Sequence, residues 1–161
     1  MKFKASLDTP AILVTALVFV IFAICIGIQL TLTNSGNSGI SLLVTIILSA
    51  TYAGAFLFRP LGYEISPDAV IIQRPVKNVQ IPLHSVAGVE LISRDQLRYT
   101  IRTFGVGGLF GYYGRFANRT IGSMTWYATR RDRNVLLTLG NGQKILLTPD
   151  EPEQFIRALT K

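Results

Sequence analysis

The sequence predicts a membrane α-helical hairpin followed by a mainly-β domain that ends in one C-terminal helix. Three observations carry this. Two long uncharged apolar runs occupy residues 11–32 and 40–58, separated by the turn-forming TNSGNSG. After Pro60 the apolar period changes from helical to alternating, with turn pairs between the runs. The chain closes on DEPEQFIRAL, a short amphipathic pattern.

The first run, AILVTALVFVIFAICIGIQLTL, has no formal charge, and at 1.5 Å per residue it reaches about 33 Å, enough to cross a bilayer core. Gln29 is its one strongly polar side chain. The second run is closed by Arg59-Pro60, a charge followed by a helix stop. A cleaved signal peptide competes for the first run, since Lys2 and Lys4 suit its basic end. The run is long, however, no A-x-A site follows it, and a second apolar segment comes directly after. Lys2 and Lys4 precede the pair, the linker has no positive charge, and Arg59, Arg74 and Lys77 follow, so both termini are expected in the cytoplasm. Residues 1–10 are then a cytoplasmic N-terminus, 11–58 a two-helix membrane hairpin and 59–161 the β domain. Small residues four apart (Ala23 and Gly27, Ser49 and Ala53, Ala50 and Gly54) can close the hairpin on itself or bring copies together.

Within the domain, strands are expected at 61–66 and 69–73 around Pro67-Asp68, then at 79–82 and 86–92. Residues 97–104 alternate, with Leu97, Tyr99 and Ile101 on one face and Arg98, Thr100 and Arg102 on the other. Residues 123–130 return as a strand. Strands at 134–139 and 143–147 flank Asn141-Gly142, a type I′ hairpin signal. Asp150 with Glu153 offers a cap to the last helix, with Pro152 in its first turn.

Between these strands, residues 105–122 read as a long connection. It carries glycines at 105, 107, 108, 111, 114 and 122, with Phe110, Tyr112, Tyr113 and Phe116 among them. The net charge of +7 is concentrated here: residues 94–133 hold eight arginines against two aspartates, a net +6. Arginine binds phosphate and carboxylate with a planar fork and stacks on rings. Arg98, Arg102, Phe110, Tyr112, Tyr113, Arg115 and Arg119 are therefore the candidate ligand- or lipid-binding residues. Two readings stand: the rings reach a membrane interface beside anionic head groups, or they fold back over an open end of the β domain.

Other chemistries find little support. One cysteine, Cys25, and one histidine, His84, leave no metal cluster or internal disulfide. GVGGLFG lacks the Lys-Ser/Thr ending of a phosphate loop. His84 and Ser85, as strand neighbours, would face opposite sides. No cofactor is expected. Arginines among aromatics also describe a single-strand nucleic-acid surface, but tethering at Arg59-Pro60 favours membrane partners, so no nucleic acid is expected.

The segments YEISPDAVIIQRPVKNVQIPLHSVAGVELI (63–92), GVGGLFGYYGRF (105–116), YATRRDRNVLLTL (127–139) and TPDEPEQFIRAL (148–159) follow one another in an order that resembles the bacterial pleckstrin-homology (PH) domain proteins. Many of these carry a transmembrane hairpin before the domain. The resemblance implies a PH-like barrel or sandwich with a C-terminal helix and a binding role; with the two apolar runs it leads to an expected place in the bacterial cytoplasmic membrane, and no catalysis is expected. The glycine-rich insertion departs from the simplest pattern, so a phosphoinositide pocket is not carried over. The expected function is a membrane-anchored binding or scaffolding module that presents the glycine, aromatic and arginine surface at the cytoplasmic face. Expected partners are anionic lipid head groups and a membrane or cytoplasmic protein. The alternatives are a self-associating assembly subunit and, third, a membrane enzyme.

Overall fold

A computed structural model describes residues 1–32 and 38–160. The linker expected at 33–39 falls outside the described residues, apart from Ser38 and Gly39. The chain forms β1 (Lys2–Lys4), α1 (Thr9–Leu32), α2 (Ser38–Phe58), β2 (Gly62–Ile65), β3 (Ala69–Gln73), β4 (Val79–Pro82), β5 (Val86–Ile92) and β6 (Ile101–Gly108). It continues through β7 (Gly111–Asn118), β8 (Gly122–Ala128), β9 (Asn134–Leu139), β10 (Lys144–Leu147) and α3 (Pro152–Leu159). The helices, the mainly-β domain and the C-terminal helix are as expected.

The strands form two sheets, in the orders β1-β2-β3-β4 and β5-β9-β10-β8-β7-β6. No ladder joins them, so of the two expected forms the sandwich is realised and a closed barrel is not. The break follows β4, where Pro82 leads into a 3₁₀ turn, Leu83–Ser85, and β5 then pairs with β9 instead of β4. His84 and Ser85 thus lie in that turn, not on a strand.

Tyr63, Val70, Ile72 and Ile81 of the smaller sheet face Val135, Leu137, Ile145 and Leu147 of the larger one. Phe155 of α3 closes this core edge-on to the Phe3 and Tyr63 rings, with centroids 5.1 and 6.0 Å away. The Tyr63 hydroxyl donates to the Tyr127 carbonyl (2.6 Å) and accepts from the Thr148 amide (3.0 Å). Burial pushes its pKa up to about 12. The other face of the larger sheet is also covered. Leu136, Leu146, Trp126, Met124, Phe116 and Tyr112 meet Ile92, Leu97 and Ala11 there. Strands buried on both faces read as continuous apolar runs, which accounts for VLLTL and KILL.

The N-terminus is woven into the domain. Phe3 pairs with Tyr63 in β1–β2, and the Met1 ammonium donates to the Ile65 carbonyl at 2.6 Å. The Asp150 carboxylate accepts from the Ser6 amide (3.1 Å), the Ser6 hydroxyl (2.6 Å) and Arg130 (3.1 Å). It is therefore engaged away from α3, and the cap expected of Asp150 and Glu153 is not formed: Glu151 stands at the N-cap of α3, with no side-chain cap bond. Asp8 caps α1, accepting from the Ala11 amide at 2.9 Å. At the β9–β10 turn only Gly142 has a positive φ (81°) and its amide donates to the Leu139 carbonyl. That is a type I turn with a left-handed glycine, not the expected type I′.

α1 is long and apolar enough to cross a membrane over Thr9–Gln29, with 6% of its most apolar window buried within the protein. The apolar stretch Leu42–Phe58 of α2 is shorter. Ile12, Leu13, Leu17, Phe19, Ile46 and Ile47 are among the side chains the pair leaves exposed. The helices meet through Phe22 and Tyr52, with rings 5.4 Å apart. Gly27 and Gly54 have open space where a Cβ would stand, so neither glycine is a point of close helix approach.

Candidate functional site

Two expectations about residues 97–122 are corrected. Residues 94–99 form a turn, and the strand begins at Ile101. The turn is closed by its own backbone bonds, from the Leu97, Arg98 and Thr100 amides to the Arg94, Asp95 and Leu97 carbonyls, and the Asn118 amide group braces it, donating to the Gln96 and Arg98 carbonyls (3.2 and 3.1 Å) and to Thr100 Oγ1 (2.9 Å). Tyr99 consequently sits at φ 62°, fully outside, while Leu97 is buried.

The glycine-rich connection is a tight hairpin, β6 against β7, followed by β8. Gly105 and Gly114 face each other with φ of 104° and 124°. A Cβ on Gly114 would lie 2.4 Å from the Phe104 carbonyl oxygen, and one on Gly105 2.3 Å from that of Tyr113. Only glycine allows this approach.

The hairpin tip is wedged against the helices. The Phe110 amide donates to Thr15 Oγ1 of α1 at 2.9 Å. The Phe110 ring packs edge-on to Tyr52 (5.1 Å) and Phe56 (5.4 Å) of α2. The Tyr113 hydroxyl donates to the Ala55 carbonyl, and the Tyr112 hydroxyl to Asp8 Oδ1 at 3.2 Å. Burial raises the pKa of both phenols, with Asp8 adding to the rise at Tyr112, so both stay donors. The Arg59 guanidinium lies over the Phe56 ring at 4.3 Å and within 5.5 Å of Phe110.

The structure thus brings Phe110, Tyr112 and Tyr113 together as buried groups holding the helices (7%, 3% and 7% exposed). The four arginines do not converge. Arg102 lies along Gly107 beside Val14 and Thr51. Arg98 and Arg119 line a groove at the opposite end of the hairpin with Tyr99 and Ile101. Arg115 is exposed, in register with Phe104. Sequence reasoning missed Asp8, Thr15, Tyr52 and Arg59 as partners of the stretch. The one available signal was polar residues at the domain-side ends of apolar helices, where a side chain must find a partner or water.

A family model for the bacterial PH domain matches residues 61–161. Neither the comparison with curated proteins nor that with solved structures found a match.

Proposed function

The chain belongs to the bacterial PH domain family, and from that premise we propose that it is a non-catalytic binding module fixed against the cytoplasmic face of the bacterial inner membrane by two spanning helices. The observation that carries this is the wedge of Phe110 between Tyr52 and Phe56, with its amide on Thr15. A domain held by both helices is an oriented platform, not a tethered one. Pairing of β1 with β2 supports a two-span hairpin with both termini on one side, because the chain enters and leaves the helices from the same sheet. Tyr52 lies six residues before the end of α2, about 9 Å along the axis. That supports setting the hairpin tip where head groups meet acyl chains.

At this level Arg59 lies over Phe56, Arg74 near Phe58, and Arg102 beside Val14 and Thr51. Each such arginine near an anionic leaflet contributes about 1 kcal/mol. We therefore assign the head-group role to Arg59, Arg74 and Arg102 ahead of Arg115 and Arg119. A cytoplasm-only reporter fused after Lys161 should be active, and an export-dependent one silent. Native mass spectrometry of the full chain should show retained anionic lipid that falls several-fold in Arg59→Ala/Arg102→Ala. An active exported reporter refutes the orientation; unchanged lipid retention refutes the arginine assignment.

A second reading, assembly with protein, is favoured by β6. It is an edge strand, and Ile101 and Phe104 on it are 65% and 74% exposed beside the equally bare Tyr99. Crosslinking at Phe104 in native membranes tests it: an adduct of twice the chain mass supports self-association, and the absence of any protein adduct contradicts the reading.

A further inference from the structure

β5 and β6 are the two opposite edges of the larger sheet, so the connection at 93–100 must cross its outer face. Leu97 pins it to the second core. Beside Leu97 a cavity of about 360 Å³ remains, lined by Arg94, Arg98 and Arg131, by Asp95, and by Phe116 and Trp126. We propose that this cavity binds a phosphomonoester.

The charge argument comes first. Among the described residues the ion pairs are those of Arg130 with Asp132 and Asp150, so Arg94, Arg98 and Arg131 have no carboxylate partner. Arg131 is stacked on Tyr112 at 4.2 Å and Arg98 on Tyr99 at 5.2 Å. Stacking fixes a guanidinium by its face and leaves its N–H fork open to an oxyanion. Three cations against Asp95 leave two positive charges, which a dianion balances and a carboxylate or phosphodiester does not.

The wall of the cavity is held in place as well. Asn118 holds three acceptors of the crossing turn, and Tyr99 is kept at φ 62°, a conformation that costs a non-glycine residue energy. Arg98 is thereby preset instead of being recruited from a flexible loop. Phe116 and Trp126 are stacked on each other at 4.2 Å and 16° and form the buried backing of the cavity. The Trp126 indole N–H is buried with no acceptor, although buried donors are almost always satisfied. The volume suits a small molecule or a single head group. This inference does not depend on the orientation of the helices.

Trp126 is the sole tryptophan and reports directly on the cavity. The full chain in nanodiscs of zwitterionic lipid is titrated with phenyl phosphate while tryptophan emission is followed. We expect a saturable change, weakened at least tenfold in Arg94→Gln/Arg131→Gln, unaltered in Arg157→Gln, and far weaker with benzoate. A second arm replaces part of the lipid with phosphatidic acid, a monoester, or with phosphatidylglycerol, a diester. Competition by phosphatidic acid alone identifies a lipid source, and absence of competition a soluble one. No saturable change, or an equal response in the double variant with Arg157→Gln still titrating normally, overturns the proposal. So does equal binding of benzoate.

Discussion

The two faces of the six-stranded sheet are built by different means. The inner face follows the rule of alternation: Val135, Leu137, Ile145 and Leu147 point one way and meet the smaller sheet. The outer face is completed in part by chain segments that are not strands. Leu97 comes from a turn, Ala11 from the start of α1, and the glycine hairpin carries this face up to the helices. The inner face makes a stable sandwich. The outer one joins that sandwich to the helix pair, and it depends on single residues with no substitute.

Substitutions on the outer face should therefore separate anchoring from folding. The largest effect is expected from Gly114→Val, where a side chain meets the Phe104 carbonyl at 2.4 Å in a left-handed backbone. A loss of more than about 3 kcal/mol is expected in thermal unfolding of the detergent-solubilised chain. Phe110→Ala comes next, at about 3 kcal/mol for removing a buried ring. Its signature differs: the hairpin undocks and residues 105–113 become protease-sensitive, while the sandwich keeps its melting transition. A single lowered transition with no local cleavage would show that the two faces are one cooperative unit.

On the inner face, Tyr63→Phe leaves the Tyr127 carbonyl and the Thr148 amide without their buried partner, and about 1–3 kcal/mol of unfolding free energy should be lost. The smallest effect is acid sensitivity. Burial works to raise the Asp150 pKa, but hydrogen bonds from Ser6 and Arg130 outweigh it and hold the carboxyl below its usual range. A depressed pKa stabilises the fold above the unfolded value of about 3.9 and is lost as pH falls through the folded value. The fall in Tm from pH 5 to pH 3 should be shallower in Asp150→Asn, by an amount worth less than about 1 kcal/mol for so exposed a network.

The same division governs what the sequence makes legible. Strands β3, β4, β5 and β9 begin and end where alternation and turn pairs put them, because local period and burial agree. The family order was legible from these strands and the last helix. The outer face was not. Residues 97–102 alternate cleanly, yet a turn closes there on its own backbone bonds, and Asn118, far along the chain, braces it. Residues 105–114 are poor in strand formers, and their ladder exists because glycines permit the approach of two backbones. β1 is three residues long and has no period of its own; its pairing depends on β2. For the site, composition singled out the aromatics but gave no sign of their partners. Phe110, Tyr112 and Tyr113 turn inward to the helices, and the arginines scatter to three surfaces.

The central claim is that the hairpin tip clamps the domain to the helix pair, and the Phe110 amide tests it most directly. In the full chain in nanodiscs, its hydrogen exchange should be slowed at least a hundredfold relative to an unstructured amide, because it donates to Thr15 Oγ1. Thr15→Val should abolish most of that protection while leaving the amides of β9 unchanged. Free exchange of the Phe110 amide in the unaltered protein would mean that the tip is not docked and that the domain swings free of the helix pair.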